Sequence, residues 1–183
     1  RRNRANGHIT RTDKNLLEIA VSQSFGNCPQ YIQQRELYPV ATHPAPIEHL
    51  ATLDAAAQAL IRQADTCFVA SCAHSSLEQG GVDISHRGGK PGFIHLQDHS
   101  LWIPDFRGNR YMNTLGNLLA KPRAALLFID FERGDVLHLQ GETQILWQAQ
   151  IGQGVTGEER YWRFDIRSAW RFSQALPWRG RNL

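Results

Sequence analysis

The chain has 183 residues, 42% of them hydrophobic, so it is long and apolar enough to bury a core and is not a disordered protein. Its net charge of +3 is spread out rather than gathered in a basic stripe, and no apolar run approaches the roughly 20 residues that span a bilayer, so we expect neither nucleic acid nor membrane as a partner. Three cysteines without regular spacing favour a cytoplasmic protein over a disulfide framework.

Residues 8–23 predict a β-hairpin. Leu17, Ile19 and Val21 alternate with polar neighbours, as the side chains of a strand do, and the letters DKN before them are turn formers.

The stretch FGNCPQYIQQREL predicts a loop followed by a short helix, with Pro29 in the first helical turn. Residues 39–47 carry three prolines and predict an extended linker. Together with the hairpin, these segments predict an N-terminal unit over residues 1–46. The cysteine of this stretch, Cys28, precedes the predicted helix, and the sequence does not decide whether it is reactive or packed.

Residues 53–64 predict the first long helix. Thr52 or Asp54 can cap its N-terminus. The apolar face of this helix consists of Leu53, Ala57, Leu60 and Ile61.

The rest of the chain is rich in strands. They are predicted at 66–72, 82–86, 92–97, 100–104, 123–131, 135–147 and 158–173, with a polar loop at 75–80 and a helix at 109–120. The strand at 123–131 is apolar on both faces and is expected in the centre of a sheet. Many short strands with few helices predict a mainly β protein, an antiparallel barrel decorated by helices.

The helix at 109–120 carries an unusual polar stripe. If Asn109 opens the helix, then Arg110, Asn113, Thr114 and Asn117 share one face at i, i+3, i+4 and i+7. These side chains carry no negative charge, and a helix N-terminus attracts anions. The stripe predicts a phosphate site, and the alternative is a capping cluster with an unrelated arginine.

The stretch DISHRGGKPGF places an arginine beside bare backbone. Arg87 offers a fork of donors for a phosphate or a flavin carbonyl. The backbone at Ser85, Gly88 and Gly89 can approach a flat ring closely, because glycine has no side chain in the way. A phosphate-like site next to a flat polar site describes flavin mononucleotide (FMN) better than nucleic acid.

Three segments together resemble the pyridoxamine 5'-phosphate oxidase-like family of FMN-binding split barrels. They are GGVDISHRGGKPGFIHL, LWIPDFRGNRYMNTLGNLLAKPRAALLFIDF and GDVLHLQGETQI. The resemblance implies an antiparallel split β-barrel over residues 47–183. The segment FGNCPQYIQQREL resembles a longer subgroup with an additional N-terminal half, and residues 1–46 would then be the tail of a preceding module.

The resemblance also implies which residues hold FMN. Near the ring it places Ser85, His86, Arg87 and Gly88, bordered by Pro104, Asp105 and Asn109. For the phosphate and ribityl chain it implies Arg110, Asn113, Thr114 and Asn117. The oxidase itself has an arginine–lysine pair where this chain has Asn113 and Thr114, and no counterpart of its substrate-phosphate residues is found, so the substrate does not carry over.

By this resemblance the protein is an FMN-dependent oxidoreductase acting on an unidentified small molecule, with NADH or NADPH as a candidate electron donor. The flavin sites of the family usually lie between two subunits, which implies a homodimer. Arg87 is the candidate for stabilising the reduced flavin, and His86 is the candidate proton donor. The alternative is a non-catalytic module that binds flavin or haem, with His86 or His138 as the haem ligand. No spacing predicts a metal site.

Overall fold

The computed structural model describes residues 2–27, 30–43, 45–73, 81–106, 112–147 and 158–183. These residues form twelve strands and two helices. The N-terminal elements are β1 (Arg2–Thr12), β2 (Leu17–Asn27), β3 (Arg35–Pro39), β4 (Glu48–Leu50), α1 (Ala55–Gln63), β5 (Thr66–Cys72) and β6 (Val82–Gly88). They are followed by β7 (His95–Gln97), β8 (Ser100–Phe106), α2 (Asn113–Ala120), β9 (Arg123–Ile129), β10 (Val136–Leu146), β11 (Glu158–Phe172) and β12 (Trp178–Asn182).

An antiparallel sheet of eight strands forms the body of the protein. Its order is β6-β5-β9-β10-β11-β8-β7, with β4 paired to β11. The predicted central strand is confirmed, because β9 lies between β5 and β10. Within the described residues no pairing joins β6 to β7, so the sheet stays open between these edges. This mainly antiparallel β architecture confirms the predicted split-barrel fold class.

Helix α1 packs its apolar face against the core, as its sequence predicts. The Asp54 side chain caps it by accepting a hydrogen bond of 2.8 Å from the Ala57 amide. Ala57 and Ile61 are buried, and Leu53 and Leu60 pack partly buried against the same core. Neither helix that the structure describes has the length and apolarity needed to cross a membrane.

The predicted N-terminal hairpin is confirmed and is longer than the sequence indicates. β1 and β2 pair from Arg2 opposite Asn27 to Thr12 opposite Leu17. Most of this hairpin is exposed, including the aliphatic side chain of Ile19. Its base, next to the N-terminus, is the part that contacts β6.

The predicted short helix after the hairpin is wrong for the residues that the structure describes. Residues 30–34 contain a turn and no helix, and Tyr31 has a φ of 65°, which lies outside the right-handed helical region. β3 follows and pairs with β12 at the far end of the chain, with Arg35 opposite Asn182. This pairing joins the predicted N-terminal unit to the C-terminus, and the predicted boundary at residue 46 stays a prediction.

Replacement of Asp54 by alanine tests the cap of α1. Asp54→Ala should lower the free energy of unfolding by about 1 kcal/mol, because the cap of the Ala57 amide is lost. The Ala57 amide and Arg171 lower the pKa of Asp54. The stabilisation is therefore present above the unfolded pKa of about 3.9 and disappears as the pH falls through the lower folded value.

Urea denaturation at pH 7 and at acidic pH measures this effect. Asp54→Asn is the matched control, because asparagine caps a helix as well as aspartate but cannot form an ion pair with the Arg171 guanidinium, which lies 2.7 Å from Asp54. If Asp54→Asn and Asp54→Ala lost the same stability at pH 7, the ion pair rather than the cap would be responsible.

Candidate functional site

Strand β6 and helix α2 meet through side chains on one face of β6. Asp83, Ser85 and Arg87 alternate with outward-facing neighbours and point to the α2 side of the sheet. The Thr114 hydroxyl donates a hydrogen bond of 2.8 Å to the Ser85 hydroxyl. The Asn117 amide donates one of 3.1 Å to Ser71, which lies opposite Asp83 on β5. The structure therefore brings together three predicted site residues, Ser85, Thr114 and Asn117.

Helix α2 begins at Asn113, so the predicted start at Asn109 is wrong. Met112 precedes the helix in the left-handed conformation, with a φ of 55°, and this dihedral ends the helical backbone on the N-terminal side. Asn109 and Arg110 lie outside the described residues, and their predicted roles stay predictions. The Met112 side chain caps none of the first-turn amides, which suits a helix end that receives an anion.

A cavity of about 560 Å³ lies where β6, α2 and the base of the hairpin meet, and we call it the β6–α2 cavity. Helix α2 contributes Asn113, Gly116 and Asn117 to its wall, and β6 contributes Val82 and Asp83. The Gly116 position faces open space, because a Cβ built there has no atom within 4 Å. The hairpin supplies Asn6, Gly7, His8, Ser22, Gln23 and Phe25.

Arg4 of the hairpin is a site residue that the sequence reasoning missed. Its Nη1 donates to the Asp83 carboxylate at 2.8 Å, to the Ser85 hydroxyl at 2.8 Å and to the Ile84 carbonyl at 3.0 Å. Asn6 donates to the other Asp83 oxygen at 3.2 Å. A signal was present in the letters RRNRANG, because Arg4 and Asn6 fall two apart and share one face of a strand.

Arg87 and Asp105 form a buried ion pair. The Arg87 Nη1 lies 2.7 Å from the Asp105 carboxylate, and their side chains are only 6% and 2% exposed. Arg160 approaches the second Asp105 oxygen at 3.6 Å. Burial lowers the pKa of Arg87, and the neighbouring Asp105 opposes that shift. The two predicted site residues are thus in direct contact, each as the ion-pair partner of the other. Their contact with a flavin stays a prediction.

Other parts of the chain pack closely against the two glycines that follow Arg87. A Cβ on Gly88 would lie 2.1 Å from the Tyr31 carbonyl oxygen, and a Cβ on Gly89 would lie 2.7 Å from the Phe93 ring. The Tyr31 ring in turn lies 5.0 Å from the ring of Phe106. Gly88 therefore makes room for the Tyr31 carbonyl of the segment after the hairpin, and Gly89 makes room for Phe93, so each glycine has a packing reason.

His86 lies on the opposite face of β6 from Ser85. Its ring meets Phe68 edge-on at 5.9 Å. The strand registers continue this pair into one row of side chains across the sheet, which we call the outer face. From one edge to the other the row is His49, Trp170, His138, Leu127, Phe68 and His86. His138 packs against Trp170, and burial lowers its pKa.

The remaining predicted site residue, Pro104, is buried in β8 opposite Tyr161 of β11. It lies one position before Asp105 on the same strand, so its side chain points to the other face. Its predicted place beside a flavin is not tested by any contact of the described residues.

The fold and this cavity define an antiparallel split-barrel protein with a candidate ligand site between the edge strand β6 and α2. The sequence model of the pyridoxamine 5'-phosphate oxidase family matches residues 53–175. Because this match covers more than half of the chain, the protein belongs to that family, as the sequence resemblance predicts. A comparison with curated proteins finds no match.

Several solved structures resemble the chain. HupZ of Group A Streptococcus is 15% identical, with a TM-score of 0.45 over 68% of this chain and 93% of that chain. A Clostridium acetobutylicum protein related to general stress protein 26, of the pyridoxinephosphate oxidase family, is 16% identical, with a TM-score of 0.43 over 70% and 92%. The FAD binding protein from Mycobacterium smegmatis is 8% identical, with a TM-score of 0.41 over 68% and 98%. The family assignment rests on the sequence match and not on these scores.

Replacing Arg87 by methionine tests the buried pair. Arg87→Met should lower the free energy of unfolding by about 3 kcal/mol, because the Asp105 carboxylate would lose its closest buried partner. The matched control is Arg167→Met, which breaks an exposed pair with Glu142 and should cost much less than Arg87→Met, because solvent screens that pair. Urea denaturation measures both. Equal losses in the two variants would show that burial does not make this pair important.

Proposed function

We propose that the protein binds FMN in the β6–α2 cavity and acts as a flavin-dependent oxidoreductase. One observation supports the proposal: in a member of this family, an α2 N-terminus that no described side chain caps meets the amides of Asn113 and Asn117 at one cavity. Its volume of about 560 Å³ falls within the roughly 300–1,000 Å³ of cofactor and ligand sites. The donors lining it suit a phosphate and a polyhydroxyl chain.

The residues present fit an anionic cofactor. The one acidic group of the described cavity lining, Asp83, is neutralised by Arg4 and receives the Asn6 amide. Asn113, Asn117 and the first-turn amides of α2 would hold the phosphate end, and Ser85 and Thr114 would fix the strand and helix relative to each other. Arg87 remains the candidate for the ring, although its charge is paired with Asp105 and it is not among the residues that line the β6–α2 cavity.

When bound, FMN would supply hydride transfer through its ring. The chain's contribution is to bind and orient the cofactor and to exclude water from its phosphate end. His86 remains the candidate proton donor, although it lies on the outer face rather than in the β6–α2 cavity. NADH and NADPH remain candidate electron donors, and the free Cys67 and Cys72 suit the cytoplasmic location that we propose.

The alternative is a module that binds flavin or haem without turnover. The observation that favours haem is the outer face, where His86 and His138 share one row with the aromatic rings of Phe68 and Trp170. An absorbance spectrum separates the cases. A Soret band after haem addition would support haem binding, and bound flavin that NADH and NADPH fail to bleach would support a non-catalytic module.

Replacing Asn113 by alanine tests the cofactor site. Wild-type protein incubated with FMN and passed through gel filtration should retain flavin absorbance. Asn113→Ala should weaken FMN binding about tenfold, the effect of one lost hydrogen bond of about 1.5 kcal/mol to a charged group. Fluorescence titration measures the affinity. The control is Asn15→Ala, an exposed asparagine at the hairpin turn, which should bind FMN normally.

Either of two results would contradict this proposal. If the wild-type protein refused FMN after reconstitution, flavin binding itself would be wrong. If the two asparagine variants bound FMN with equal affinity, flavin would bind elsewhere than at the start of α2.

We also propose a homodimer that pairs the outer faces of two subunits. Val82 and Ile84 of β6 are 70% and 54% exposed there, and the neighbouring strand β5 carries the half-buried ring of Phe68 on the same face. Exposed aliphatic and aromatic side chains that adjoin one another are typical of subunit interfaces. Val82 also lines the β6–α2 cavity, so the proposed interface and the proposed cofactor site are continuous.

Placing a charge on the outer face tests this interface. Ile84→Arg should convert the dimer to a monomer, because each subunit would bury a positively charged guanidinium group in the interface without an acidic partner. The control is Leu119→Arg, which adds the same charge at an exposed position of α2. Sedimentation equilibrium measures the mass. A wild-type monomer, or a dimer that survives in Ile84→Arg, would contradict the proposed interface.

A further inference from the structure

The N-terminal hairpin lies outside the residues that the family model matches, 53–175, yet it forms one wall of the β6–α2 cavity. Asn6, Gln23 and Phe25 line the cavity from the hairpin, opposite Asn113 and Asn117 of α2. The rest of the hairpin is mostly exposed. The base of the hairpin is thus the part that lines the β6–α2 cavity.

Asp83 is the feature of the cavity that opposes an anion. Its side chain is 7% exposed, and the strand register puts it opposite Ser71, the residue that receives the Asn117 amide. A bare carboxylate at this place would repel a phosphate held at the start of α2, because charges interact strongly where water is excluded. The cavity can accept a phosphate only if this charge is compensated.

The hairpin supplies that compensation. The Arg4 side chain is 9% exposed and lies 2.8 Å from the Asp83 carboxylate. The same Nη1 donates to Ser85, which accepts from Thr114 in the first turn of α2, so a chain of hydrogen bonds joins the hairpin to the helix start. The buried Arg4 Nε has no hydrogen-bond partner among the described residues, and a buried donor without an acceptor is uncommon in native proteins.

We propose that the hairpin is part of the cofactor site, and that Arg4 neutralises Asp83 so that the β6–α2 cavity accepts the phosphate of FMN. This inference rests on the proposed FMN binding. Arg4 acts through Asp83 and is a positioning residue, because no reacting atom is required to touch it. The flavin ring itself does not depend on this charge, whereas the phosphate does.

The test compares FMN with riboflavin, which has the same ring and no phosphate. Arg4→Gln should weaken FMN binding by about tenfold or more, because the uncompensated Asp83 repels the phosphate, and should leave riboflavin affinity within about twofold of wild type. Fluorescence titration of the full chain measures both ligands. The control is Arg11→Gln, which removes a cation paired with exposed Asp13 and should change neither affinity.

A double variant tests the charge compensation itself. Asp83→Asn in the Arg4→Gln background removes the uncompensated carboxylate and should restore FMN affinity by at least about threefold over Arg4→Gln alone. If Arg4→Gln does not fold, Asn6→Asp keeps Arg4 and adds a carboxylate beside Asp83. It should reduce FMN binding selectively as well.

The outcomes separate this inference from the proposal beneath it. Wild-type protein that binds neither FMN nor riboflavin would overturn the proposed function and this inference with it. Wild-type binding of FMN combined with equal losses of both ligands in Arg4→Gln, or with no recovery in the double variant, would overturn the inference alone. A selective loss of FMN that Asp83→Asn reverses would support it.

Discussion

The alternation of side chains along β6 is the constraint on which the arrangement of the site depends. Successive residues of a strand point to opposite faces. Asp83, Ser85 and Arg87 therefore turn to the α2 side, while Ile84 and His86 turn to the outer face. A shift of one residue in the pairing with β5 would exchange the two sets, placing charges on the outer face and aliphatic groups against the helix. The buried pair of Arg87 with Asp105 opposes such a shift, because it requires one register.

The same stretch shows why an arginine stands next to two glycines. Arg87 turns inward to Asp105, while the backbone of Gly88 receives the Tyr31 carbonyl and that of Gly89 receives the Phe93 ring. A side chain at Gly88 would displace the segment that follows the hairpin, and one at Gly89 would displace Phe93. The stretch thus fixes the buried pair and the path of the segment after the hairpin.

Elements held by local patterns could be predicted from the sequence, and those held by distant partners could not. The cap at Asp54, the buried face of α1 and the strand at 66–72 follow from the period of apolar residues and one capping side chain. The pairing of β3 with β12 joins residues 139 to 147 positions apart, and neither segment carries a sequence pattern that predicts the other as its partner. The start of α2 was misplaced because Met112 adopts a left-handed φ, and the sequence has no glycine or asparagine at that position to indicate one.

The candidate site shows the same division. Thr114 and Asn117 were predicted from the polar stripe of one helix and Ser85 from the stretch that precedes it, the family resemblance points to the same residues, and the structure brings them together. Arg4 was missed because its role depends on a carboxylate 79 positions away, which the hairpin reaches only in the folded chain. Its neighbour Asn6 was missed for the same reason.

The uncharged start of α2 gives the Arg4–Asp83 pair its significance. Where the resemblance expects an arginine and a lysine, this chain has Asn113 and Thr114, which donate hydrogen bonds but carry no charge. A site can attract a phosphate by adding cations or by removing nearby negative charge, since the electrostatic potential at the phosphate is the sum of both contributions. Among the described residues of this chain, negative charge is removed rather than positive charge added. Arg4 cancels the charge of Asp83, and the backbone amides at the start of α2 provide the positive end. If FMN binds as proposed, the affinity for its phosphate would depend on a hairpin outside the family-matched region, and a change at the hairpin base would alter the site without touching the split barrel.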